Sequence, residues 1–224
     1  MSIYNKNILV FDLETTGLPK KKKSWGFGKE TYYDHTYNSK YNDSRIVSVA
    51  WSFIENYSKD TFDNHIVFEF IRKPKDFIIK NNNIHGISQE QALKEGHLLS
   101  KILNNNDLNE AKGLSYAIKN CDFIIAHNCL FDLHILMNEC HRLKFNTCLD
   151  KLKSLLDNNN YICTGELGIN ICKIPIKSNP KIYKMPKLSE LYFKYYNEQP
   201  SILHNAKADV ETLLKIILQI YPFE

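Results

Sequence analysis

Five polar residues stand in a fixed order along the chain. They are Asp12 and Glu14 in Phe-Asp-Leu-Glu-Thr-Thr-Gly, Asp132 in His-Asn-Cys-Leu-Phe-Asp, and His204 with Asp209 in His-Asn-Ala-Lys-Ala-Asp. Carboxylate oxygens are the ligands that hard divalent cations take. An imidazole changes charge near neutral pH and can accept a proton from water. Four carboxylates with one imidazole suit two metals and a general base, the equipment for hydrolysing a phosphodiester.

Each residue sits beside an apolar element that could aim it. Residues 7–14 read as a buried strand, and alternation along a strand puts Asp12 and Glu14 on one face. Two neighbouring carboxylates repel and are costly to bury unpaired; a hard cation between them removes that cost. Gly17, ending Thr15-Thr16-Gly17, lets the backbone turn sharply or approach a ligand. Residues 122–126 make a second apolar strand, followed by a helix over 129–142 with its stripe at Leu133, Leu136, Met137 and Cys140. Asn128 is its expected N-cap, and Asp132 falls in its first turns, off the stripe. The last helix, 205–220, buries Val210, Leu213, Leu214, Ile217 and Ile220. A five-residue step does not stack two side chains on one helix face, so His204 belongs to the preceding loop and Asp209 to the early turns. Taken singly, each residue has a bland reading: a strand end emerging into water, an acid answering a helix dipole, a surface histidine. The ordered conjunction is what points to a site.

That conjunction resembles the DnaQ-like 3′–5′ exonucleases, the DEDDh group of the ribonuclease-H-like superfamily. Phe-Asp-Leu-Glu-Thr-Thr-Gly-Leu is similar to the proofreading exonuclease subunit of bacterial replicative DNA polymerase. Ile84-His85-Gly86-Ile87 and Lys187-Leu188-Ser189-Glu190-Leu191-Tyr192 also look like family elements, so the resemblance covers most of the chain. It implies that Asp12, Glu14, Asp132 and Asp209 hold two Mg²⁺ or Mn²⁺ ions about 4 Å apart, with Asp12 bridging. His204 would help generate the attacking hydroxide, and a nucleoside 5′-monophosphate would leave the 3′ end. Thr15 and Thr16 would hold the terminal 3′-OH; Leu18, His85 and Phe131 would contact the terminal nucleotide; Asn128 would support the site. DNA with single-stranded 3′ ends is the implied substrate, in proofreading or repair, with a DNA polymerase as a candidate partner. An exoribonuclease trimming RNA is the alternative, and a nucleic-acid-binding module without catalysis ranks below both, because none of the five residues is missing.

The order of elements predicts one α/β domain over 1–224 with a mixed five-stranded sheet flanked by helices. Strands are expected at 7–14, 45–54, 64–72, 122–126 and near 161–164. Helices are expected near 88–95, 107–120, 129–142, 165–172, 187–196 and 205–220. Hydrophobic residues are 43% and charged residues 24%, ordinary for a globular protein. No apolar run is long enough to span a membrane, and the N-terminus leads directly into the first strand, leaving no room for a signal peptide. Six scattered cysteines without a Cys-x-x-Cys pair argue against a zinc ribbon and read as reduced core residues; an intracellular protein is expected. The net charge of +4 tolerates a polyanion without requiring one. Residues 19–44 stand apart as an insertion with no place in the core. They carry Lys20–Lys23 among Trp25, Phe27, Tyr32, Tyr33, Tyr37 and Tyr41, a mixture suited to phosphate contact and base stacking or to a surface loop packed on the domain.

Overall fold

The computed structural model describes residues 2–22, 31–80, 82–104, 113–200 and 205–223. Five strands form its main sheet: β1 (Ile8–Thr15), β2 (Ile46–Ile54), β3 (Phe68–Ile71), β4 (Phe123–Ala126) and β5 (Tyr161–Cys163), in the order β3-β2-β1-β4-β5. β1 pairs antiparallel with β2, and β2 with β3; β4 and β5 run parallel to β1. The expected mixed sheet is therefore present. Helices follow as α1 (Leu99–Asn104), α2 (Leu114–Asn120), α3 (Cys129–Leu143), α4 (Asn146–Asp157), α5 (Thr164–Cys172), α6 (Leu188–Tyr196) and α7 (Ala206–Ile220).

Alternation along β1 divides the core in two. Leu9, Phe11 and Leu13 join the larger cluster, with Leu133, Leu136 and Cys140 of α3. Ile8 and Val10 join the other, with Val210, Leu213, Leu214 and Ile217 of α7. Asp12 and Glu14 continue the Ile8–Val10 row, so the strand directs them to the α7 face. β1 is thus apolar on both sides until its last residues, where one side turns acidic.

The structure corrects the sequence reading in several places. The strand expected over 64–72 is confined to Phe68–Ile71, and Lys59–Asp63 before it is a helical turn. Ser58 caps that turn in a reciprocal capping box with Thr61. Helices α1 and α4 were not foreseen. α4 buries Cys148, Leu149, Leu152 and Leu155, but its N-cap, Phe145, makes no side-chain capping bond, so its start is silent in the sequence. A two-stranded ribbon, Pro175–Ile176 with Asn179–Tyr183, is also additional. The insertion does reach the core: Tyr41 is fully buried in the larger cluster and its hydroxyl donates to the Tyr33 carbonyl. Lys21–Lys22 pairs with Thr31–Tyr32 as a small ribbon, while Trp25, Phe27 and Lys23 lie outside the described residues. The ring faces assigned to base stacking are approached by lysines instead. Lys21 Nζ lies 5.2 Å from the Tyr32 centroid, and Lys40 Nζ lies 4.5 Å from that of Tyr33.

All three arginines of the chain, Arg45, Arg72 and Arg142, gather beside α3. Glu139 of α3 accepts from Arg45 Nε at 2.7 Å and from Arg72 Nη1 at 2.5 Å. Asp76 takes both terminal nitrogens of Arg45, at 2.9 and 3.1 Å. Such forked donation to a carboxylate is what a guanidinium does and an ammonium cannot. The cluster ties β2, β3 and the chain after β3 to α3.

Candidate active site

Asp12, Glu14 and Asp209 converge at the C-terminal end of β1. One carboxylate oxygen from each can be chosen so that all lie within 4.8 Å of one another. Asp209 is carried in by α7, whose first turn is set by Asn205: its side-chain oxygen accepts from Ala208 N at 3.0 Å. Asp132 lies outside that trio but close enough to act on it. It is buried in the first turn of α3, and after burial itself its charge contributes most to raising Asp12.

The electrostatics are those of carboxylates without counter-charges. Burial, then Asp132, Asp209 and Glu14, hold the Asp12 carboxyl well above the ordinary range. Glu14 is pushed up to about 7 by burial, Asp209 and Glu69. Asp209 reaches about 6 through burial. Asp132 is also well raised, by burial first and by Glu14, although backbone groups of its own turn and of Leu13 pull it back. None of the four has a salt bridge among the described residues. This oxygen-only, like-charged donor set fits hard divalent cations.

The remaining expected residues are placed as follows. Thr15 donates its hydroxyl to the Gly17 carbonyl at 2.9 Å. Thr16 donates to the Asp43 carbonyl at 3.0 Å and accepts from Arg45 N at 2.9 Å. Both hydroxyls thus shape the turn after β1. Leu18 is 77% exposed at the tip of that turn. Phe131 is half-buried against the larger core cluster. Asn128 occupies the N-cap position of α3, but in the left-handed conformation (φ 61°, ψ 43°) and without a side-chain capping bond, which corrects the expectation that it caps. His85 is buried, with Nδ1 accepting from Ile87 N at 3.2 Å and Nε2 unpaired. Gly86 follows it at φ +74°, where a side chain would be strained. His204 lies outside the described residues.

Two residues near the site were missed in the sequence. Glu69 of β3 sits in the cross-strand row Asp12–Ala50–Glu69, on the same sheet face as the catalytic candidates. It accepts from Asn205 Nδ2 at 3.1 Å and Lys207 N at 3.4 Å, holding the start of α7. Only strand register could have revealed it. Tyr32 of the insertion lies 4.9 Å, centroid to centroid, from His134 of α3. Burial, then the Asp132 charge, push its phenol up to about 12, so the insertion reaches the edge of the acidic site.

No protein-family model matches the sequence, and no curated protein matches it. Solved structures do share its fold. E. coli exonuclease I in complex with a dA16 oligonucleotide superposes with a TM-score of 0.57 at 16% identity, over 96% of this chain and 41% of that one. The zinc-bound form of the E. coli exonuclease I complex with single-stranded DNA gives 0.59 at 16% identity, over 97% and 41%. The 3′-exonuclease that recognises the 3′ end of the histone mRNA stem-loop gives 0.54 at 13% identity, over 98% and 64%. What the chain shares with these structures is the fold, a mixed five-stranded sheet flanked by helices. This chain spans 41% of the exonuclease I length and 64% of the histone mRNA enzyme. Among its described residues, no helix is long and apolar enough to cross a membrane.

Proposed function

We propose that this protein is a metal-dependent 3′–5′ exonuclease of the DEDDh type that releases nucleoside 5′-monophosphates from DNA 3′ ends. The observation that carries this reading is the convergence of Asp12, Glu14 and Asp209 within 4.8 Å, with Asp132 acting on Asp12, on the fold of enzymes that cut nucleic acid from the 3′ end. Asp12, Glu14, Asp132 and Asp209 would hold two Mg²⁺ or Mn²⁺ ions. When bound, such ions neutralise charge and lower the pKa of water. His204, one residue before the Asn205 cap, is assigned the proton from that water at a ring nitrogen. The Thr15–Leu18 turn and Phe131 are assigned to the terminal nucleotide, with Leu18 as its exposed apolar contact. The proofreading role and a polymerase partner rest on the Phe-Asp-Leu-Glu-Thr-Thr-Gly-Leu likeness.

The solved relatives divide between a DNA complex and an RNA-recognising enzyme, so matched DNA and RNA strands belong in one assay. End-labelled single- and double-stranded oligonucleotides with Mg²⁺ or Mn²⁺ should shorten from the 3′ end, DNA faster than RNA, with mononucleotide products. Cleavage undiminished in excess chelator, or mononucleotides released only from 5′ ends, overturns the reading. Faster trimming of RNA transfers it to the exoribonuclease.

A further inference from the structure

Beside the acidic site lies a second feature with the opposite charge. A cavity of about 830 Å³ is lined by the Thr16–Leu18 turn and walled by Arg45, Arg142, Lys75 and Lys80 together with Asp43 and Asp76. We infer that this cavity binds a phosphodiester of the substrate strand upstream of the bond that is cut. The inference rests on the nuclease reading for the direction of the strand, but not for the binding itself.

Not every cation at this cavity is matched by a carboxylate. Arg45 and Arg72 are matched by Glu139 and Asp76. Arg142 is not. Its Nε donates to Asn138 Oδ1 at 2.7 Å, and one terminal nitrogen donates to Asn38 O at 2.7 Å and to Asn42 Oδ1 at 2.8 Å. All three acceptors are neutral. A half-buried guanidinium is thus fixed in position without a carboxylate of its own. Burial, and after it the nearby Arg45 charge, lower its pKa, which is the sign of a cation lacking sufficient counter-charge.

Lys75 and Lys80 are exposed on the rim and form no ion pair among the described residues. Of the two lining acids, Asp76 is bound at both oxygens by Arg45, which leaves Asp43 against three cations. An anion is the missing partner. The volume suits a nucleotide-sized group, and the mouth carries two exposed apolar side chains, Leu18 at 77% and Ile78 at 65%. A ligand with both a phosphate and an apolar ring face answers this lining better than an inorganic anion does. The turn that lines the cavity directly follows β1, the strand that carries Asp12 and Glu14, so one nucleic-acid strand can occupy both.

Arg142 anchors the 38–42 segment, so the variant of choice is Lys75→Ala with Lys80→Ala. Binding of oligothymidylates with a free 5′-hydroxyl, two and eight nucleotides long and carrying a fluorophore on the 5′-terminal base, is followed by fluorescence anisotropy in chelator. The double variant should weaken octamer binding several-fold at low salt. It should reduce the slope of log Kd against log salt by about 1.4, two contacts at about 0.7 each on a single strand. Dimer binding should not change, because a dimer has no upstream phosphate. Hydrolysis of the p-nitrophenyl ester of thymidine 5′-monophosphate with Mn²⁺ should match wild type. Equal losses for dimer and octamer, or an unchanged octamer Kd and salt slope, overturn the proposal. So does a thymidine 5′-monophosphate affinity that the double variant weakens as much as it weakens the octamer, which would make this a free-nucleotide site. If wild type hydrolyses no substrate while the octamer difference persists, the nuclease reading fails and the basic site stands.

Discussion

At the end of β1, the carboxylates of Asp12, Glu14 and Asp209 converge with Asp132 nearby, and none of the four has a salt bridge among the described residues. Around Glu139, buried charge is matched by guanidinia. The difference shows in the titration of the two glutamates. Burial and neighbouring acids push Glu14 up to about 7. Burial also pushes Glu139 up, but Arg72 and Arg45 outweigh it and hold its carboxyl below the ordinary range. The Arg45 and Arg72 charges are matched within the chain by Glu139 and Asp76, and that set fixes the fold. The other is held in place by the fold while lacking its counter-charge, which is the arrangement expected of a site that awaits cations.

Removing a member of each cluster should therefore have opposite consequences. Asp12→Ala should lower turnover at least about 10³-fold, the scale on which a charge-organising group matters. It should leave the metal-free melting temperature equal or higher, because a desolvated, repelled carboxylate is gone. A folded Asp12→Ala protein with near-wild-type turnover would remove Asp12 from the site. Glu139→Ala should do the reverse. Leaving Arg45 and Arg72 buried without their shared partner costs about 3–5 kcal/mol, to be read from urea unfolding. The molecules that remain folded should turn over substrate at close to the wild-type rate per site. An unfolding free energy within 1 kcal/mol of wild type would show that the arginine cluster is not a structural device.

The two clusters were also unequally legible. Asp12, Glu14 and Asp209 could be read because each lies in a local pattern, a strand alternation or a helix start, that predicts where its side chain points. The arginine cluster has no such signature: Arg45, Arg72 and Glu139 are brought together by β2, β3 and α3, and their spacing in sequence carries no period. Glu69 was hidden for the same reason, since its place beside Asp12 depends on the register of β3 with β2. Helix α4 escaped because its start has no side-chain cap. Tyr41 was misjudged because it sits in a polar, lysine-rich stretch, while its ring is inserted into the core beside α3.

The acidic cluster predicts a pH dependence of stability. Its members bind protons more tightly folded than unfolded, with Glu14 near 7 and Asp209 near 6 against about 4 in an unfolded chain. Their contribution is therefore fully present below about pH 4 and is lost as pH rises through 6 and 7. Metal-free protein should melt lower at pH 8 than at pH 6. Divalent cations must displace those protons, so added Mn²⁺ should raise the melting temperature more at pH 8 than at pH 6, by several degrees. The Glu139 cluster works in the other direction, losing its contribution only as pH falls below the ordinary carboxylate range. Differential scanning fluorimetry across pH 5–8, with and without Mn²⁺, separates them. A Mn²⁺ increment that is the same at both pH values would contradict the raised carboxyls.

Glu69 lies between the two regimes, a carboxylate satisfied by neutral donors. It touches Asn205 and the backbone of Lys207, not the metal trio, so its expected role is to position the start of α7 and with it Asp209. Two properties of Glu69 can be separated by substitution. Its oxygen as an acceptor survives in Glu69→Gln; its charge does not. Glu69→Ala should lower kcat about tenfold, the scale of one hydrogen bond to a charged group, with KM for the strand little changed. Glu69→Gln should recover most of that loss. The charge has a different readout, because it is one of the causes that raise Glu14. Both variants should therefore shift the pH midpoint of Mn²⁺ binding downward, Gln as much as Ala, even though only Ala impairs turnover. If Gln and Ala lose kcat equally, positioning through the acceptor oxygen is wrong. If neither moves the Mn²⁺ midpoint, the Glu69 charge does not reach Glu14, and the acidic cluster ends at the residues of β1, α3 and α7.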